Sequence, residues 1–124
     1  MPTMRTSDAE TVRRLALPLP CTIEREHFGG PSFSVNGRMF ALYWTKEQRW
    51  IIKLPHAQQM MLFDARPETF APMRSGRMVW STVELAHLGN VELADLLTSA
   101  WRTVAPKRLA GLLPGRAREK EMHP

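Results

Sequence analysis

The stretch FSVNGRMFALYWTKEQRWIIKL, residues 33–54, decides the fold, because it predicts three consecutive antiparallel strands. Asn36-Gly37 is a strong signal for a two-residue type I′ turn, which needs positive φ at both central residues. A turn of this length also sets the register of the two strands that it joins, so that Phe33 is predicted to face Phe40. The remaining elements are then expected to cover one face of this sheet.

Side chains alternate across a strand, so the predicted register divides these residues between two faces. The predicted core face holds the larger apolar residues: Phe33, Val35, Phe40, Leu42 and Trp44. A three- or five-residue loop would pair Trp44 with Trp50 and add Trp50 and Ile52 to this core. An even loop would instead bury the charges of Arg49 and Lys53, which is costly without partners. The pattern therefore favours the odd loop.

The opposite face of these three strands is predicted to carry both apolar and charged residues. It is either solvated or a contact surface. It is expected to carry Met39, Ala41, Tyr43, Arg49, Ile51 and Lys53.

Length and composition indicate one ordinary globular domain. The chain has 124 residues, 44% of them hydrophobic and 23% charged. We predict a single domain over residues 1–113 and a disordered tail over residues 114–124, which is polar and punctuated by Gly and Pro. No apolar run approaches the roughly 20 residues of a membrane span. The single cysteine, Cys21, has no partner for an internal disulfide, and we expect a cytoplasmic protein.

Elements outside the central stretch complete a two-layer α+β domain. A capping box at Ser7 predicts a helix over residues 8–17, and residues 21–28 are typical of an edge strand. Pro55 precedes a short apolar helix over residues 56–65, whose methionine pair is expected to fill the core. Residues 70–74 and 78–85 predict a hairpin, in which the side of the sheet taken by Trp80 remains open.

The last helix is predicted to begin after Asn90 as its N-cap and to pack on the sheet. Its apolar positions recur at helical spacing: Leu93, Leu96, Leu97, Ala100, Trp101 and Val104. The predicted element order is therefore α-β-β-β-β-α-β-β-α, with helices packed against an antiparallel sheet.

Four blocks of the sequence resemble the MmcQ/YjbR-like family of small bacterial proteins. In chain order they are HFG at residues 27–29, FSVNGRMFA at 33–41, PETF at 67–70 and AWRTVAPKRL at 100–109. Their order and spacing match over nearly all of residues 8–110. The resemblance implies a fold similar to that of secretion chaperones, and DNA binding through a "double wing" of hairpins. It lends no catalytic residue to this chain.

Motifs of catalysis, metal binding and cofactor binding do not emerge from the sequence. The histidines and Cys21 are scattered without metal-ligand spacing. No nucleophile elbow, P-loop or dinucleotide-binding glycine pattern occurs. We therefore expect a protein that is not an enzyme and that uses neither a cofactor nor a metal.

Basic residues at predicted hairpin tips are the strongest candidates for function. The chain has a formal net charge of +5 and a sequence pI near 10.1, which permits anionic partners. Exposed cations on reachable loops suit phosphate contacts, and an outward aromatic ring adds stacking. The predicted nucleic-acid site comprises Arg38, Lys46, Arg49, Lys53, Arg74 and Arg77, with Tyr43 as the stacking residue.

A protein-interaction module is the alternative interpretation. An outer face with Met39, Tyr43 and Ile51 among charges is typical of a modest, partly polar interface. A chaperone-like fold favours a homodimer or a bound peptide segment, with no role for nucleic acid. An exposed apolar patch would indicate this function, whereas clustered Arg and Lys would indicate nucleic acid.

Overall fold

A computed structural model describes residues 6–113. Residues 1–5 and the predicted tail, 114–124, lie outside the described residues. The helices and strands are α1 Thr6–Ala16, β1 Thr22–His27, β2 Gly30–Val35, β3 Arg38–Trp44, β4 Arg49–Ile52, α2 His56–Ala65, β5 Phe70–Ser75, β6 Met78–Val83, α3 Asn90–Val104 and α4 Lys107–Ala110, with a 3₁₀ turn at Leu85–His87 before α3.

The strands form one antiparallel sheet in the order β1-β2-β3-β4-β6-β5. The predicted α+β class and element order are confirmed, and β1 is an edge strand as expected. Helices α1 and α3 pack together, and α3 packs on β3 and β2. No helix within residues 6–113 is long and apolar enough to cross a membrane.

Helix α3 buries the predicted stripe, which is the largest helical contribution to the core. All six predicted positions are buried, and Trp101 is fully so, with its indole Nε1 donating to the Pro20 carbonyl at 3.0 Å. Two predicted caps are wrong. Gly89 is the N-cap residue and Asn90 the first helical residue, while α1 begins at Thr6 and so contains Ser7.

A β-bulge in β3 overturns the predicted pairing of Phe33 with Phe40. Phe33 pairs with Ala41 and Ser34 with Met39, so Phe40 is an extra residue without a partner. Phe40 and Ala41 consequently both lie on the helix-covered side of the sheet, and both are fully buried. A bulge of this kind shifts every later side chain of the strand to the other face.

The loop after β3 is even, which contradicts the predicted odd loop. Trp44 pairs with Arg49, leaving a four-residue loop over residues 45–48, and Tyr43 pairs with Trp50. The bulge and the even loop each move the register by one residue, so their effects cancel in β4. Trp50 and Ile52 therefore reach the core as predicted.

Leu42 and Trp44, predicted as core, lie on the opposite side of the sheet. There they join a second, smaller cluster, which consists of Leu42, Ile51 and Trp80 with Met39, Trp44 and Met73 packed against them. This cluster contains strand residues only, and we call the side of the sheet that carries it the open face. The question left by the sequence is settled: Trp80 is buried, but on the open face.

Helix α2 is less buried than its composition predicts. Met60 and Met61 are 44% and 63% exposed, so the expectation that they fill the core is wrong. Leu62 and Phe63 pack against the main core instead. The buried residue of this helix is Gln59, whose Nε2 donates to the Val79 carbonyl at 3.0 Å.

Gly30 is required by a close approach of β2 to β3. A Cβ at this position would lie 2.8 Å from the backbone oxygen of Tyr43. We expect Gly30→Ala to lower the free energy of unfolding by about 1–3 kcal/mol, because backbone must move to relieve the overlap. Urea denaturation measures this loss. Gly111→Ala, which meets nothing within 4 Å, is the control and should change stability by less than about 0.5 kcal/mol.

Candidate nucleic-acid interface

Two hairpins extend beyond the short central strand, and we call them the first and the second wing. Strand β4 ends at Ile52, which pairs with Ala41 on one side and Ser81 on the other. Residues 34–40 (first wing) and residues 73–80 (second wing) therefore extend past the end of β4. Both wings lie at the same end of the sheet, which we call the wing end, because β2 and β5 run in the same direction.

Four of the predicted basic residues lie at the wing end. Arg38 flanks the turn of the first wing, and Arg74 and Arg77 belong to the second. Lys53 directly follows β4 and so lies between the wings. The three arginines are exposed and Lys53 is half-buried. None of these four side chains forms an ion pair with another residue in the range 6–113.

The end of α3 lies at the wing end, and the short helix α4 that follows it carries two further cations. Thr103 Oγ1 donates to the Lys53 carbonyl at 3.3 Å, which places the C-terminal turn of α3 beside β4. Helix α4 follows at once and exposes Lys107 and Arg108. Sequence reasoning missed both, since the contact that brings the end of α3 to β4 joins residues 50 apart.

No carboxylate belongs to the segments that meet at the wing end. Thr22 pairs with Val35, and Trp101 reaches Pro20, so the chain before β1 also arrives here. Five segments converge in this way and none contains Asp or Glu: residues 17–22, 34–40, 52–58, 73–80 and 100–113. The ten acidic residues within residues 6–113 belong to other segments, so the described part of the wing end carries Lys and Arg but neither Asp nor Glu.

Lys46 and Arg49, the other predicted basic residues, lie at the opposite end of the sheet. Lys46 is in the loop after β3, and Arg49 begins β4. Both are exposed. The predicted set is therefore not one continuous site but two, separated by the length of the strands.

Tyr43 is not on the outer surface as predicted, because the bulge turns it inward. It is 6% exposed and its ring meets that of Trp50 edge to face, with ring centres 5.4 Å apart. Burial raises the pKa of its hydroxyl, and the charge of Asp8 adds to this. Trp44 takes the outward position instead and is half-buried on the open face. Trp44 is the aromatic residue that pattern reasoning placed in the core.

The predicted protein-interaction surface, with Met39, Tyr43 and Ile51 on the outer face of the sheet, does not form as expected. Of its three apolar residues, Tyr43 is in the main core and Ile51 is 2% exposed. Only Met39 is partly accessible. The exposed methionines of α2 were not part of that prediction.

The acidic residues within the strands are on the helix-covered side. The acidic residues in the six strands are Glu24 and Glu26, which pair with Phe33 and Pro31. Arg13 of α1 donates to Glu24 through Nε at 2.6 Å, and this hydrogen bond lowers the pKa of the Glu24 carboxyl. The strand positions of the open face thus carry no carboxylate.

No metal site is found in the described part of the chain. No group of three or more His, Cys, Asp or Glu residues is arranged to hold a metal ion within residues 6–113. A second ion pair, Arg66 with Glu92, links the end of α2 to the first turn of α3 and raises the pKa of Arg66. This pair ties two helices together and is remote from the wing end.

Comparison with known proteins supports the family assignment. The family model described as YjbR matches residues 17–103. None of the curated proteins compared with the chain matches it. The crystal structure of Deinococcus radiodurans protein DR2400, which contains a domain described as DUF419, is similar in fold. It has a TM-score of 0.65 and 24% identity, over 87% of this chain and 83% of that one.

Proposed function

The chain belongs to the YjbR family, and we propose that it binds nucleic acid weakly and with little sequence preference, through phosphate contacts at the wing end. The observation that carries this proposal is the cluster of six cations at the wing end. The five described segments that converge there contain no carboxylate. Such a distribution attracts polyanions and does not require a precise fit. The role is binding and not catalysis.

The spacing of the wings suits a duplex. The two wing turns are separated by three strand spacings in the sheet order, which corresponds to about 14 Å. The major groove of B-DNA is about 12 Å wide, so cations on the two wings can contact phosphates on both of its borders. Lys53 lies between them and adds charge over the groove.

Weak sequence preference follows from the kind of contact. Arginine at a hairpin tip reaches phosphate oxygens, which are the same for every base pair. Arg38, Arg74 and Arg77 lie at or beside turns, not on a helix or ribbon long enough to read several base edges. We therefore expect similar affinities for duplexes of different sequence.

Two double variants of equal charge test the position of the site. We expect Arg74→Ala/Arg77→Ala to weaken binding to all duplex sequences alike, by roughly tenfold or more, since two phosphate contacts are lost. Lys46→Ala/Arg49→Ala removes the same charge from the opposite end and should leave duplex binding within about twofold. Fluorescence anisotropy of a labelled duplex at low salt measures both.

Two results would contradict the proposal. If the two double variants weaken duplex binding equally, the binding depends on the net charge of the protein and not on the wing end. If the wild-type protein shows no saturable binding to duplex or single strand at low salt, nucleic-acid binding is excluded. The interaction-module function, with the exposed Met60 and Met61 as its first candidates, would then lead.

A further inference from the structure

Phe28 is in a backbone conformation that a large aromatic residue rarely adopts. Phe28 and Gly29 form the two-residue turn between β1 and β2, with φ of 50° and 85°. Asn36 and Gly37 have φ of 54° and 78° in the corresponding turn of the first wing. Asn and Gly are the usual residues of such a turn, whereas phenylalanine is strained there. The fold alone therefore does not account for an aromatic residue at this position.

The ring of Phe28 is also exposed to an unusual degree. It is 77% exposed, and the His27 ring lies against it edge to face, with centres 4.5 Å apart. Strain and exposure together act against stability, and backbone strain of this kind is concentrated at functional sites. Phe28 is thus a candidate contact residue for a ligand.

A depression beside Phe28 has the size and lining for one flat ring. Its volume is about 310 Å³, and it is lined by His27, Phe28, Tyr43, Trp44, Thr45 and Lys46. This is at the small end of the range for ligand sites. Thr45 Oγ1 donates to the Phe28 carbonyl at 2.9 Å, which joins the two turns and fixes the sides of the depression.

The charges around the depression favour an anion. Lys46 lines it, and Arg49 pairs with Trp44 across β3 and β4, so two exposed cations accompany the aromatic rings. Glu47, in the same loop, is exposed and offsets part of this charge, but it does not line the depression. None of the lining residues is acidic, and the strand positions of the adjoining open face carry no carboxylate. Aromatic rings beside cations are the combination by which proteins bind single-stranded nucleic acid.

We infer that this depression binds one unpaired base of single-stranded nucleic acid, stacked between Phe28 and Trp44, with the adjacent phosphates at Lys46 and Arg49. Paired bases cannot enter, because their faces are covered by neighbours in the duplex. The inference rests on the proposed function for its class of ligand, but it uses the other end of the sheet. The protein accordingly has a duplex-binding end and a single-strand-binding end.

The test compares variants of Phe28 on labelled oligothymidine, oligouridine and a duplex. Phe28→Asn should weaken binding to single strands roughly tenfold, because one stacking contact is lost, and should leave duplex binding unchanged. Phe28→Tyr keeps the ring and should bind as the wild type does. Phe28→Leu keeps apolar bulk without a ring and should behave as Phe28→Asn. Equal losses on the DNA and RNA strands indicate a site that does not distinguish the sugars.

Folding does not confound this experiment, since Phe28→Asn gives the turn the Asn-Gly sequence of the first wing and should melt no lower than the wild type. Single-strand binding that is unchanged in Phe28→Asn, or fully kept in Phe28→Leu, would overturn the stacking site while leaving the wing end intact. Loss of duplex and single-strand binding together in Phe28→Asn would overturn it too. Absence of all binding in the wild type would remove both proposals.

Discussion

Phe40→Ala is expected to lower the free energy of unfolding by about 3–5 kcal/mol. Phe40 is fully buried at the bulge, between the sheet and the helices. Its removal would leave a cavity in the main core, because neighbouring side chains collapse only partly into the space of a lost ring. Urea or guanidinium denaturation of the purified variant measures the loss.

Met61→Ala is the matched control for the size of the side chain. Met61 is 63% exposed on α2, and its truncation should change stability by less than about 0.5 kcal/mol. A loss below about 1 kcal/mol in Phe40→Ala would show that the bulge does not direct this ring into the core.

Salt is expected to weaken duplex binding steeply. If four wing-end cations contact phosphates, log K falls with log salt at a slope of about −3.6. A rise from about 50 to about 200 mM salt then lowers the affinity roughly 150-fold. Anisotropy titrations at four or five salt concentrations give the slope directly.

The slope also reports how many contacts a variant has lost. Removing Arg74 and Arg77 should make it shallower by about 1.8, since each phosphate contact contributes about 0.9. Lys46→Ala/Arg49→Ala should leave the duplex slope unchanged. A wild-type slope near zero would mean that the binding does not depend on phosphate contacts, and would contradict the proposed interface.

Local patterns predicted the elements well, because their signals are contained within a few residues. The Asn36-Gly37 turn pairs Val35 with Arg38, as the type I′ geometry requires. The apolar stripe of α3 is buried at every predicted position. In both cases the residues that carry the signal are those that form the structure.

The face of the sheet on which a side chain lies was harder to predict than the strands and helices themselves. One extra residue in a strand moves every later side chain to the other face. Nothing in the sequence marks Phe40 as the residue without a partner, since Phe40 and Ala41 both suit a core. The prediction therefore placed Leu42 and Trp44 in the core and Tyr43 outside. Two errors of opposite effect, the missed bulge and the odd loop, still gave the correct side for Trp50.

The sequence predicted which basic residues lie at turns, but not which of them lie together in the folded protein. Exposed arginines at hairpin tips follow from turn chemistry, and Arg38, Arg74 and Arg77 lie where expected. Their separation from Lys46 depends on the direction of the strands and on their order in the sheet. Both are set by contacts between segments that are far apart in the sequence. The absence of carboxylates from the five described segments at the wing end is visible only once the fold brings these segments together.

The bulge at Phe40 has an evolutionary consequence. Deletion of the Phe40 codon would leave Phe33 paired with Ala41 and Ser34 with Met39, so Tyr43 would still face inward and Trp44 outward. We therefore expect relatives that lack the extra residue to keep their aromatic residues on the same faces of the sheet. The bulge thus allows one core residue to be gained or lost in this strand without changing the side chains that the open face presents.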